Sequence, residues 1–456
     1  MSEGPRSMVA AENNNRGIES SARSRGRCPS AWAWLAVSFA ALAGCTPAPE
    51  FRVNVVAEQK REQQSLEEGQ HFTDAQKKDI GTFLTAVYGT PDVPRFPALS
   101  DDEDQETALI RQQSLAMASG PVASDRSGTP RGLYREHCVH CHGITGDGAG
   151  PTASFLNPYP RDFRLGKFKY KSTPLGVPPT DADLHKVLVE GLPGTAMPSF
   201  RRLPDDELQA LVDYVKYLTL RGQTERTLYD VLVEDPHPLV DLIATEAQFA
   251  ATEEAIAAAE EAGEEPPFEP YFGPRDAFEE LVLPLTDAWF EAEDSAVDPG
   301  ELPEEMDPAH PGHADFLAKG RELFFGVGNC YSCHGNTGLG DGQVTDFDDW
   351  TKDWMQELGI TLEDTDKIEK WVAVGAMPPR NIIPRNLRAG VMRGGRSPGD
   401  IYLRLKNGIE GTPMPAAPNT LSDEELWALV AYVRQMPYEA ISLPEHLAPV
   451  NQLPPR

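Results

Sequence analysis

Two copies of one five-residue pattern constrain this chain more than any other feature. Cys138-Val139-His140-Cys141-His142 and Cys330-Tyr331-Ser332-Cys333-His334 both read Cys-x-x-Cys-His. With 6 cysteines and 10 histidines in 456 residues, ~0.002 matches are expected by chance, so two copies are not coincidence. A redox dithiol needs no trailing histidine. A Cys-Cys-His zinc site needs a fourth ligand, and here it would need one twice. The pattern answers a different need, covalent attachment of c-type haem. Two thiols add across the two haem vinyl groups, and the adjacent histidine then lies beneath the iron as proximal ligand. Cys138, Cys141, Cys330 and Cys333 are therefore the expected attachment points, and His142 and His334 the expected iron ligands.

The other two cysteines lie near the N-terminus. Arg23, Arg25 and Arg27 precede the apolar run 31–44, the order of a secretory signal and too short for a stable spanning helix. The run ends Leu42-Ala43-Gly44-Cys45 and resembles a bacterial lipobox, in which cleavage before the cysteine leaves Cys45 to carry lipid. An ordinary cleaved signal is the alternative. Both place the chain in an extracytoplasmic space, on the periplasmic side, where thioether chemistry is at home. The net charge of −30 excludes a nucleic-acid binder, which needs a basic face.

The two patterns sit in longer repeats. Gly143 and Gly146-Asp147-Gly148 correspond to Gly335 and Gly340-Asp341-Gly342. Pro160-Arg161-Asp162-Phe163 corresponds to Pro384-Arg385-Asn386-Leu387. Gly191-Leu-Pro-Gly-Thr-Ala-Met197-Pro198 corresponds to Gly408-Ile-Glu-Gly-Thr-Pro-Met414-Pro415. Each repeat closes on a helix with its apolar residues at helical spacing: Leu208, Leu211, Val212, Val215, Leu218, and Leu426, Leu429, Val430, Val433, Met436. Ser422 with Glu425 forms a capping-box pattern at the start of the second.

Each repeat thereby resembles a class I cytochrome c domain, and the whole resembles the diheme c-type cytochrome lipoproteins of bacterial electron transport. The resemblance implies an all-α fold: two small helical domains, each around one covalent haem, with loop-rich insertions and an acidic, partly helical connector. The expected segments are 1–44 signal peptide, 45–125 N-terminal extension, 126–222 first domain, 223–312 acidic connector, 313–440 second domain and 441–456 tail. In the extension, Thr73 and Gly89 bracket an expected helix around 74–88.

A low-spin haem takes a sixth ligand on its far face, and a thioether there raises the potential. Met197 is the candidate in the first domain, being the only methionine between His142 and the closing helix. In the second, 80 positions separate His334 from Met414, against 55 between His142 and Met197. The extra residues hold Met377 in a tryptophan-rich insertion, so the repeat favours Met414 with Met377 as runner-up. Similar domains place a Gly-Pro near the proximal histidine, which points to the Pro151 carbonyl as partner of His142; the second domain has Val344-Thr345 there and leaves its partner open. Arg161 and Arg385 stand at equivalent positions and suit either a haem propionate or a surface ion pair.

The implied function is transfer of single electrons by a lipid-anchored diheme cytochrome c that does no bond chemistry on a substrate. The implied partners are redox proteins such as a quinol-oxidising complex and a terminal oxidase, with the acidic surplus serving either docking or solubility. The opposed readings are a diheme peroxidase, which needs one haem with an open far face, and a haem-bearing subunit of a larger oxidoreductase.

Overall fold

The computed structural model describes residues 49–67, 71–96, 108–122, 131–234, 246–263 and 274–438. The signal segment, Cys45, the acidic run at 101–104 and the C-terminal tail lie outside them. Apart from isolated bridges, the described secondary structure is helical.

The first repeat is organised by one long helix. Helices α1 (Val55–Glu67), α2 (Asp74–Tyr88) and α3 (Gln112–Ala118) lead to the short α4 (Leu133–His137) and α5 (Val139–His142), then α6 (Asp181–Glu190) and the closing α7 (Asp205–Glu234). The expected apolar stripe of α7 is the core: Leu208, Leu211, Val212 and Leu218 are buried and Val215 packs beside them. α2 starts and stops where its sequence signals stand. The Thr73 side chain accepts from Gln76 N–H, the Gln76 side chain accepts from Thr73 N–H, and Gly89 ends the helix. Such a cap stabilises a helix by about 1 kcal/mol.

The extension is built into this core. Phe83, Leu84, Tyr88 and Leu115 join the α7 cluster, and each buried side chain of this size contributes roughly 1.5–3 kcal/mol. Arg111, just before α3, grips the fully buried Asp213 of α7 with two bonds of 2.9 Å. α7 also runs past position 222, where the connector was expected to begin, to Glu234. α8 (Glu246–Ala262) follows, and then α9 (Pro274–Leu281) and α10 (Leu283–Asp294) fold back onto α7, burying Ala277, Leu281, Val282 and Trp289 in its cluster.

The second repeat has its own core. α11 (His313–Phe325) leads to α12 (Tyr331–His334), which carries the second pattern. The insertion follows, including a short helical stretch over 349–356 and α13 (Thr365–Ala373). α14 (Pro398–Asn407) and the closing α15 (Asp423–Gln435) complete it. α11 crosses α15 closely: Phe316, Leu323 and Phe324 pack among Leu426, Leu429, Val430, Val433 and Met436. Gly320 permits the approach, because its missing side chain faces the Ala428 carbonyl. The Ser422–Glu425 capping box is formed.

The insertion braces the two repeats. Trp354, Met355, Ile360 and Trp371 form a separate cluster with Val56 of α1. Beneath it, Asp353 takes Lys60 of α1 at 3.3 Å and Arg226 of α7 at 3.2 Å. Further contacts join the repeats directly: the Tyr159 hydroxyl donates to the Pro378 carbonyl at 3.1 Å, Asn407 donates to the Ser172 carbonyl at 2.7 Å, and Lys171 pairs with Glu410.

Candidate haem sites

Both Cys-x-x-Cys-His patterns fold as a single helical turn. The Cys138 carbonyl accepts from Cys141 at 3.1 Å and from His142 at 2.9 Å; the Cys330 carbonyl accepts from Cys333 at 3.3 Å and from His334 at 2.9 Å. One turn thus places both thiols and the imidazole on one side. Gly143 and Gly335 end the turns at φ +74° and +79°, and Asp147 and Asp341 lie against their Cα atoms where a side chain would stand. Glycine is required there both by conformation and by space, which explains why each repeat has a Gly after the pattern and a Gly-Asp-Gly beyond it, two residues further along in the second.

The histidine rings are oriented by backbone. His142 Nδ1 lies 3.1 Å from the Arg161 carbonyl and His334 Nδ1 lies 3.0 Å from the Arg385 carbonyl. A carbonyl only accepts, so Nδ1 carries the proton and Nε2 keeps its lone pair for a metal. The expected partner of His142, the Pro151 carbonyl, is corrected by this geometry: Pro151 is exposed, and the chain returns from 160 to 163 to bring the Arg161 carbonyl under the ring. The same return from 384 to 387 supplies the partner that the second repeat's sequence left open. His142 also stacks on Phe163, ring centres 4.6 Å apart. Burial pushes His142 down to about 4 and lowers His334, so both rings are neutral at pH 7.

The first thiol of each pattern is neutral as well. Burial pushes Cys138 up to about 12 and Cys330 up to about 11. A redox dithiol works through a thiolate held low, so this environment runs against that chemistry. No described cysteine is in a disulfide.

The two methionine loops share one hydrogen-bond plan. Thr195 Oγ1 donates to the Leu192 carbonyl at 2.8 Å and accepts from Met197 N–H at 3.1 Å; Thr412 Oγ1 donates to Ile409 at 2.7 Å and accepts from Met414 at 3.2 Å. Leu192 N–H and Ile409 N–H then close on the Met197 and Met414 carbonyls. Neither composition nor periodicity points to these threonines; their repetition in Gly-x-x-Gly-Thr-x-Met-Pro is the signal that marks them.

A cavity of about 900 Å³ in the second repeat is lined by Cys330, Cys333, His334 and Met414, within the range of cofactor pockets. Phe324, Leu387, Ile401, Leu405, Leu429 and Val433 supply apolar walls. A planar apolar macrocycle with two carboxylate arms fits such walls, thiols and imidazole. Met392 also lines the cavity, whereas Met377 is buried elsewhere with Ala153, Tyr159 and Trp350, where the repeats pack together. The walls also include Lys169 and Tyr170 of the first repeat, with Arg393 and Arg404 of the second, none of which the sequence reading singled out.

Segments 126–215 and 315–433 match the family described as cytochrome c oxidase, cbb3-type, subunit III. The chain carries two cytochrome c domains. Together the matched segments cover under half of the chain, and the extension, the connector and residues 434–456 lie outside them. The cytochrome c domains carry the expectation of covalent haem and electron transfer. Among solved structures, a chain of the Kuenenia stuttgartiensis reducing HAO-like protein complex is similar, at 24% identity and a TM-score of 0.41, over 67% of this chain and 93% of that one. Comparison with curated proteins gave no match. No described helix is long and apolar enough to cross a membrane.

Proposed function

We propose that this chain is a diheme electron carrier that passes single electrons between extracytoplasmic redox partners, held at a membrane by lipid on Cys45. The observation that carries this reading is the convergence of Cys330, Cys333, a backbone-oriented His334 and Met414 on one apolar cavity, with the same local construction repeated at Cys138, Cys141, His142 and Met197.

Bound haem supplies a one-electron ferric–ferrous couple. The chain's own residues do the rest. The four cysteines would anchor the two groups through thioethers. His142 and His334 would bind the iron through Nε2, their rings kept in register by the Arg161 and Arg385 carbonyls. Met197 and Met414 would offer their thioethers to the iron, on loops fixed by Thr195 and Thr412. The apolar walls exclude water and favour the lower-charged reduced state. A thioether and an imidazole together would supply both protein ligands of each iron, which suits a carrier rather than a peroxidase. A quinol-oxidising complex and a terminal oxidase are the partners such a carrier would join.

The test is the absorption spectrum of the haem-matured chain with haem-to-protein stoichiometry. Two haems per chain, a sulfur-to-iron charge-transfer band from each and no response to carbon monoxide are expected. A high-spin haem that binds carbon monoxide would overturn the carrier reading for its domain and favour a peroxidase.

A further inference from the structure

Arg161 and Arg385 occupy equivalent places in the two cytochrome c domains, and each does two things. Its backbone carbonyl holds the proximal histidine of its own domain. Its side chain reaches the methionine loop of the other. A Cβ added at Gly194, in the Met197 loop, would stand 2.9 Å from Arg385 Nη2; one added at Gly411, in the Met414 loop, would stand 3.0 Å from Arg161 Nη1. Gly194 and Gly411 are themselves equivalent repeat positions. The crossing is therefore reciprocal.

The seam where they cross is cationic in a chain of net charge −30. Lys169, Arg385, Arg393 and Arg404 line the second-domain cavity. No ion pair within 4.0 Å joins Arg161 or any of these four to a carboxylate among the described residues. Arg393 Nε and Arg404 Nε are buried without a hydrogen-bond partner. Burial first, then Arg161 and Arg393 against the pull of Asp348, push Lys169 down to about 7. The nearest acidic groups are already engaged: Asp348 caps Thr351 N–H and Asp349 pairs with Lys167 at 3.1 Å. Arg385 Nε donates to the Val391 carbonyl and Arg404 to the Asp400 and Gly394 carbonyls, but no carboxylate balances these half-buried charges; such a cluster calls for an anion, and the cavity's own ligand carries two carboxylates.

We infer that Lys169, Arg385, Arg393 and Arg404 form a carboxylate site at the domain seam for the propionates of the second-domain haem, and that Arg161 and Arg385, by crossing the seam, set the potential of the haem in the opposite domain. The inference rests on the diheme reading. Guanidinium is permanently charged, and a positive charge beside a haem disfavours its ferric state. Removing either arginine lowers the potential of the haem across the seam. The two domains are then one redox unit, in which neither haem keeps its potential if the seam is opened.

The experiment is a spectroelectrochemical titration of the full haem-matured chain and its Arg161→Gln and Arg385→Gln variants. A Met414→His background, which lowers the second haem alone, assigns the two waves. Arg161→Gln is expected to lower the second-domain haem, and Arg385→Gln, whose side chain also lines the second-domain cavity, the first-domain haem together with the second, each by at least threefold in the reduced-to-oxidised ratio at fixed poise, about 28 mV. Arg161→Lys and Arg385→Lys should recover most of the shift, and Lys367→Gln, on the exposed side of the insertion, should move neither wave. Shifts confined to each arginine's own domain, or no shift, overturn the crossing. Where a Gln variant matures poorly, loss of the haem across the seam supports the inference and loss of its own haem alone contradicts it. A wild-type chain lacking two haems would instead sink the diheme reading.

Discussion

One substitution made at two helical glycines should change stability in opposite directions. Gly320 lies in α11 where it crosses α15. A Cβ there would lie 2.6 Å from the Ala428 carbonyl carbon, nearer still to its oxygen, and 2.9 Å from Tyr432 Cβ. Ordinary contact begins near 3.4 Å, so the helices must separate by on the order of an ångström, and interiors packed at crystal density resist this. Overpacking of this kind costs about 1–3 kcal/mol, and the obstructing atoms are mostly backbone, which favours the upper end. Alanine regains about 1 kcal/mol of helix propensity. The balance for Gly320→Ala is a loss of about 2 kcal/mol. Gly81 lies in α2 with nothing within 4 Å of the added Cβ. There only the propensity gain operates, and Gly81→Ala should stabilise by about 0.5–1 kcal/mol. The assay is urea unfolding of the haem-loaded chain, followed by far-ultraviolet circular dichroism and by haem absorption. A Gly320→Ala chain as stable as the parent would refute the close crossing of α11 and α15.

Asp353 offers a pH-dependent case. Burial alone would raise its carboxyl, but Arg226 and Lys60 hold it below its usual 3.8. A depressed folded value means its stabilisation is present above about pH 4 and is lost as pH falls through that value. Asp353→Asn should cost about 2–3 kcal/mol near neutral pH, less than a pair with no substitute because Glu357 still holds Lys60, and the gap should close in acid; a gap unchanged down to about pH 2 would count against the brace. Met414→Ala should abolish the sulfur-to-iron band of the second haem, whereas Met377→Ala should keep it and cost about 2–4 kcal/mol in unfolding; the reverse result would move the ligand into the insertion. Replacing Cys330 and Cys333 together by alanine should halve covalent haem on a denaturing gel stained for haem, and two haems retained would refute attachment there.

What the sequence determined was local. Cys-x-x-Cys-His spans one helical turn, so its spacing alone sets both thiols and the imidazole together. The Thr73 and Ser422 caps act within three residues, and the stripes of α7 and α15 are read from periodicity. The repeat favoured Met414 over Met377 through an equivalent Gly-Thr-x-Met loop that carries its own hydrogen bonds, and Met414 rather than Met377 lines the cavity beside His334. Tertiary structure decided what depends on distant segments meeting. The partner of His142 came from the Arg161 backbone, whose side chain gives no sign of a carbonyl's direction, and not from Pro151. The extension became core because Asp213 and Arg111, 102 positions apart, close on each other. The crossing of Arg161 and Arg385 depends on how two separately legible domains dock, and docking is set by complementary surfaces that no local pattern in either repeat encodes.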